Sequence, residues 1–278
     1  MAPNFDGCQP AIAAYAEAAR TLQNLSGDLV AMQADLRFSF REQVEPVYRE
    51  YVDLLLVANP STQSEQQRYL EQAREAIEAL QLAELDNFFR EACLNVTPQP
   101  LDRLDPRAAA LYTIILPDRL EAILSVPGQP MSHYAAPASQ TEVEAWVDRT
   151  RQSFRRTSFA KERLPLAQEL YRWLIQPAEA QLASGNIDTL VFVLDGALRE
   201  IPMAVLHDGN NYLIERYRIA IAPGLQVLVP AVADNIPRRT SPKALLGGVS
   251  EASQGFAPLP GVERELSQIQ SRLPAEPF

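Results

Sequence analysis

The side chains best suited to metal or covalent chemistry are few: Cys8 and Cys93 are the only cysteines, His133 and His207 the only histidines. A metal centre needs His, Cys and carboxylate ligands clustered at short, regular spacing. These four stand apart in the chain, so the sequence predicts neither a metal site nor a cofactor. Cys93 lies in Phe88-Phe89-Arg90-Glu91-Ala92-Cys93-Leu94, where a buried, reduced core thiol is the expected role. Gly247-Gly248-Val249-Ser250 follows an apolar run and resembles the start of a phosphate-cradling turn. No G-x-G-x-x-G or G-K-[ST] continues it, which favours a strand ending in a loop. A G-x-S-x-G nucleophile elbow is likewise missing from the sequence. Asp195-Gly196 sits at the end of an expected strand, a place where a catalytic aspartate can stand. A tight turn explains it better, since glycine supplies the positive φ such turns need. Asp208-Gly209-Asn210-Asn211 reads as turn chemistry for the same reason.

The elements that would position these residues fall into two kinds. In the first hundred residues Tyr15, Leu22, Leu25, Leu29, Met32 and Leu36 are spaced 7, 3, 4, 3 and 4 apart, one stripe of a long amphipathic helix. A second helix is expected from about Phe40 to Ala58, presenting Val44, Val47, Tyr48, Tyr51, Val52 and Leu55, and stopped at Asn59-Pro60. Thr62 with Glu65 is a capping box for a third, which carries Tyr69, Leu70, Ala73, Ile77 and Leu80. Helical pairs of this kind suggest a tetratricopeptide-type stack, although no clean 34-residue repeat is present. A helical bundle or a dimer seam would show the same stripes.

The character changes at Asn95 to Pro106, a proline-rich connection. Residues 111–116 and 120–126, separated by Pro117-Asp118-Arg119, read as a β-hairpin. Two helices follow, one with Val143, Trp146, Val147 and Phe154, the other with Leu166, Leu170, Tyr171, Leu174 and Ile175. The last third alternates between kinds: strands at 189–194, 217–222 and 244–249, a polar connection at 233–242, and a final helix from Val262. Strands joined through helices imply a largely parallel or mixed sheet with helices over it.

Composition narrows the function classes. Of 278 residues, 47% are hydrophobic and 22% charged, so a sizeable core is expected rather than disorder. The formal net charge of −10 argues against nucleic acid, which calls for a basic face. The one basic stretch, Arg149, Arg151, Arg155, Arg156, Lys161 and Arg163, is expected to be the solvated side of two helices. Met1 to Asp6 lacks a basic start and an apolar core, and no apolar run reaches the roughly 20 residues needed to cross a bilayer. The expectation is a soluble protein of the cytoplasm, with no membrane or nucleic-acid partner.

Several segments resemble one family. Leu190-Val191-Phe192-Val193-Leu194-Asp195-Gly196-Ala197-Leu198-Arg199-Glu200-Ile201-Pro202-Met203-Ala204-Val205-Leu206 resembles the strand-and-turn of CHAT domains. His207-Asp208-Gly209 with Tyr212-Leu213-Ile214-Glu215 is similar to its continuation, as are Ile219 to Leu225 and Phe256 to Leu266. Upstream, Tyr112 to Leu120 and Leu82 to Arg90 resemble the cyanobacterial members that carry tetratricopeptide repeats. The likeness runs from about residue 10 to 278. It implies a caspase-like lineage whose members use a His–Cys dyad in an α/β sheet, the imidazole favouring the thiolate and backbone N–H groups holding the oxyanion. In that family the His follows a later strand in a His-Gly context, and the Cys follows a further strand among small residues. His133 precedes Tyr134, His207 precedes Asp208, and neither cysteine follows a late strand, so no catalytic residue carries over.

The resulting expectation is an α+β to α/β chain: a helical, TPR-like region over 1–97, then the N-terminal, incomplete part of a caspase-like CHAT domain over 98–278. It would be a non-catalytic front part of a cysteine peptidase, not itself an enzyme, with a regulatory or protein-interaction role. Protein or peptide partners would meet the helical region, and an open sheet edge would permit self-association. The alternative is a self-contained helical scaffold without a proteolytic role, binding through a face around Tyr69, Phe88 and Phe89.

Overall fold

Alternation along one strand sets the architecture. Every residue of β1 (Ala108–Ile115) is buried, and its side chains divide between two separate cores. Ala108, Ala110, Tyr112 and Ile114 join one cluster, while Ala109, Leu111 and Ile115 join another. A strand that buries both faces must lie inside a sheet covered on both sides. The computed structural model describes residues 8–30, 40–58, 60–89, 105–154, 160–224, 244–252, 255, 257–272 and 275–277. They fall into two compact units, residues 1–230 and residues 231–278.

In the first unit, β1 pairs antiparallel with β2 (Leu120–Ser125), Leu111 opposite Leu124, and β2 pairs antiparallel with β3 (Ser132–Ala136). On its other side β1 pairs parallel with β4 (Thr189–Val193), and β4 pairs parallel with β5 (Arg218–Ile221). The sheet order is β3-β2-β1-β4-β5. The hairpin at 111–126 is present as expected. β3 leaves no signal in the sequence, because Ser132-His133-Tyr134 has neither an apolar run nor clean alternation.

One face is covered by α1 (Cys8–Val30), α2 (Glu45–Val57, preceded by a π-turn at Phe40–Val44) and α3 (Gln63–Phe89). Tyr48, Val52 and Leu55 of α2, and Leu70, Ala73, Ile77 and Leu80 of α3, pack with the β1 face of Tyr112 and Ile114. The α3 start is capped as its sequence predicts: the Glu65 amide donates to Thr62 Oγ1 at 3.2 Å. Pro46 occupies the first turn of α2, where its missing N–H costs nothing. Tyr69 is 8% exposed and belongs to this core, so it is not available as an anchor on an outer face. The side chains of Phe88 and Phe89, the stripe positions Met32 and Leu36, the proline-rich connection before Leu104 and Cys93 all lie outside what is described. The change from helices to strands falls there too, yet helices and sheet share one core.

The other face is covered by α4 (Gln140–Ser153), α5 (Ala160–Leu174) and α6 (Glu179–Ser184). Ser139 and Glu142 form a reciprocal capping box at α4. Val143, Trp146, Leu170 and Leu174 pack on Leu111, Leu124, Leu190 and Phe192. The chain runs from β4 through 3₁₀ turns at Gly196–Glu200 and Met203–Val205 and a short α7 (Leu213–Arg216) into β5.

The second unit is a small β–α–β element: β6 (Ala244–Leu246) and β7 (Ala275–Pro277) are parallel, joined through α8 (Val262–Gln270). Gly248 is explained here. A Cβ on it would lie 2.5 Å from Val262 Cγ1, so glycine at this position serves the approach of α8 rather than a phosphate. The connection expected at 233–242 lies outside the described residues.

Candidate functional site

In parallel α/β sheets the carboxyl ends of the strands are where loops gather and ligands bind. At this end of β1 and β4 stands Asp195, two residues past the end of β4 and 1% exposed. Arg49 of α2 reaches it with two bonds, Nη1 to Oδ2 at 2.6 Å and Nη2 to Oδ1 at 3.0 Å. The same Nη1 donates to the Ile115 carbonyl at 2.9 Å, and Arg49 Nε donates to Glu45 at 2.7 Å. Asp195 Oδ2 also accepts the Ile115 amide at 2.7 Å, and the Asp195 amide donates to Thr113 Oγ1 at 3.0 Å. Burial works against the Arg49 cation, but Asp195 and Glu45 more than restore it and raise its pKa. Next to this pair the Leu194 carbonyl accepts from Gln81 Nε2 and from Arg199 Nε, each at 2.9 Å. Arg199 also meets Glu84 at 2.5 Å. Burial raises the Glu84 pKa, and Arg199 offsets only part of that.

The chemistry available to this cluster is clamping. Both carboxylate oxygens of Asp195 are occupied by donors from α2 and β1, so the group ties the helical layer to two strand ends instead of accepting a substrate proton. Gly196 takes φ +50°, which agrees with the tight turn expected from the sequence. The half-buried partner Arg49 carries no sequence signal, because nothing in the α2 stripe marks that arginine as inward-facing.

The two histidines are set on opposite faces of the sheet. His207 follows the 3₁₀ turns, and its backbone N–H meets the Ala167 carbonyl of α5. Its Nδ1 accepts the Gly209 amide at 2.9 Å, and its ring stands edge-on to Tyr212 at 4.8 Å. Asp208 accepts the Asn210 and Asn211 amides, both at 2.7 Å, and these bonds hold its carboxyl below the usual range. That is the turn chemistry expected of Asp208 to Asn211. His133 of β3 lines a small hollow with Leu55, Leu56 and Tyr69 on the α2–α3 side. Its Nδ1 is 3.7 Å from Glu121, an ion-pair distance rather than a hydrogen bond. Arg119 is the firm partner of Glu121, Nε to Oε1 at 2.7 Å, and also reaches Asp53 at 2.5 Å. Burial opposes the Glu121 charge, but His133 and Arg119 together hold its pKa below 4.5.

Of the basic stretch, Arg149 and Arg151 are exposed, Arg151 pairing with Glu200 at 2.8 Å; Arg163 is half-buried; Arg155 and Arg156 lie outside the described residues. The side chain of Cys8 is not described either. Among the described residues no group of His, Cys, Asp and Glu could hold a metal ion, and no helix is long and apolar enough to cross a membrane.

No curated protein matches the chain. The family model of the CHAT domain matches residues 164–277. The matched segment takes in most of α5, α6, β4, both 3₁₀ turns, α7, β5 and the second unit, whereas α1–α3 and β1–β3 lie before it. Residues 164–277 are therefore similar to the CHAT domain, whose family is associated with caspase-like cysteine peptidases.

Proposed function

We propose that this chain is a non-catalytic part of a caspase-like CHAT peptidase system, acting in the cytoplasm through protein contacts. The observation that carries this reading is how its histidines are occupied. A His–Cys dyad requires the imidazole within hydrogen-bond reach of the thiol, with the second ring nitrogen held by an orienting group. His207 instead spends Nδ1 on the Gly209 amide and packs its ring on Tyr212. His133 sits on the other face beside Glu121. At the carboxyl ends of β1 and β4, where an α/β enzyme would work, stands the closed Arg49–Asp195 clamp.

The regulatory role rests on two surfaces. The TPR-like helices α1–α3 carry a polar outer side, with Glu71 and Glu75 exposed, suited to a protein or peptide partner. β5 is an edge strand of its sheet among the described residues, and its Ile221 is 57% exposed. An exposed apolar edge favours strand addition and hence self-association. The test of the non-catalytic reading is peptide hydrolysis by the full chain, measured beside Cys8→Ser and Cys93→Ser. We expect no turnover above the blank. Hydrolysis abolished by either substitution would make the chain a peptidase in its own right.

A further inference from the structure

The antiparallel register of β2 and β3 sets Glu121 opposite Ala135 and His133 opposite Ile123. Glu121 and His133 are thus diagonal neighbours on one face of the sheet, within reach of each other's side chains. His133 Nδ1 and Glu121 Oε2 stand 3.7 Å apart. Both atoms are buried, and neither has a hydrogen-bond partner among the described residues. A buried polar atom without a partner costs stability, and here each of the two faces the other.

The charges around the pair are out of balance. Arg119, between β1 and β2, is shared by three carboxylates: Glu121 at 2.7 Å, Asp118 at 3.0 Å and Asp53 of α2 at 2.5 Å. On the α2 and α3 side His133 borders the hollow lined by Leu55, Leu56, Gln66 and Tyr69, where Tyr69 is the one other titratable group among the described residues. Arg68 of α3 is engaged elsewhere, over the Tyr69 ring at 5.5 Å and 4.0 Å from Glu65. Tyr134 of β3 alternates to the opposite face, where its hydroxyl donates to the Leu174 carbonyl of α5. The His133 side chain is 29% exposed, so its ring can exchange a proton with solvent. Imidazole is the side chain whose charge ordinarily changes between pH 5 and 8. Once charged, it draws a carboxylate to about 2.7–2.9 Å.

We propose that His133 and Glu121 form an acid-closed clasp on the edge strand β3. With the imidazole protonated, Nδ1–H donates to Glu121 Oε2, both orphaned atoms are satisfied, and a second cation joins the three carboxylates around Arg119. β3, an edge of its sheet among the described residues, is then tied to β2 and, through Glu121, Arg119 and Asp53, to α2. With the imidazole neutral that tie loosens. The stabilisation is therefore present at low pH and lost as pH rises. Glu121, held below its ordinary 4.5, keeps its charge across this range.

The test is a double-mutant cycle on the full chain at pH 5.5 and again at pH 8.5. His133→Phe keeps a ring that carries no charge, and Glu121→Gln keeps the shape of the carboxylate. At pH 5.5 His133→Phe should lower the melting temperature by about 2–4 °C, and by less when Glu121→Gln is already present. At pH 8.5 the two losses should simply add. A coupling equal at both pH values, or absent at pH 5.5, would overturn the proposal. The wild type gives a second readout through amide hydrogen exchange, corrected for its intrinsic dependence on pH. Residues Ser132 to Ala136 should be better protected at pH 5.5 than at pH 8.5, relative to the amides of β1 and β4. Absence of that gain would equally overturn the clasp. This readout needs no variant, so a substitution that disturbs folding leaves the test intact.

Discussion

Asp195 and Glu121 show how differently two buried carboxylates stabilise one fold. Asp195 is buried against Arg49, and removing it leaves that cation with Glu45 and the Ile115 carbonyl alone and the Ile115 amide without its acceptor. Asp195→Ala should lower stability by about 3–5 kcal/mol, read as a fall in the urea midpoint with an unchanged slope. Glu121 has a folded pKa below its ordinary 4.5. Its charge therefore contributes stability that is present above 4.5 and lost as pH falls through the folded value. Glu121→Gln should be less stable than the wild type at pH 7, with the gap closing in thermal melts taken below pH 4.5. A gap that stayed constant between pH 7 and pH 3 would remove Glu121 from the account. Glu84 has the opposite sign: its raised pKa favours the folded state at low pH and loses that contribution as pH rises.

At the scale of elements, turns and edges decide more than propensity. The β4 exit turns at Gly196, whose φ of +50° is a left-handed conformation, and a Cβ there would meet Ile115 Cδ1 at 3.3 Å. Gly196→Ala should cost about 1–2 kcal/mol from backbone handedness and lower the melting temperature accordingly. β5 raises the question of association. Ile221→Lys places a charge on the exposed edge and should shift any self-association toward monomer, seen by light scattering on a sizing column across a dilution series. Its folded stability should change by about 0.5 kcal/mol or less, as for other exposed substitutions. A wild-type chain that is already a dilution-resistant monomer would count against the edge as an association surface.

The whole molecule makes its sheet from two stretches of chain. β4 and β5 belong to the CHAT-matched segment, while β1, which pairs with β4 from Ala108↔Thr189 to Tyr112↔Val193, precedes it. Val191 and Val193 are buried among residues of α2, α3 and β1. Residues 164–277 expressed alone should therefore fail to melt cooperatively, because β4 would lose its central neighbour and the helical cover of one face. A sharp two-state transition in that fragment would show that β1–β3 and α1–α3 are dispensable to it.

Much of this was legible in the chain itself. Local periodicity decided α2, α3, the hairpin at 111–126 and the strand at 189–193, since the alternation of apolar residues depends only on neighbours a few positions apart. Turn chemistry likewise marked Gly196 and Asp208 through their own backbone demands. Strand order, the union of β1 with β4, and the inward turn of Arg49 toward a residue 146 positions away came only with the tertiary structure. Long-range pairing of polar groups carries no local period, so no window of sequence records it.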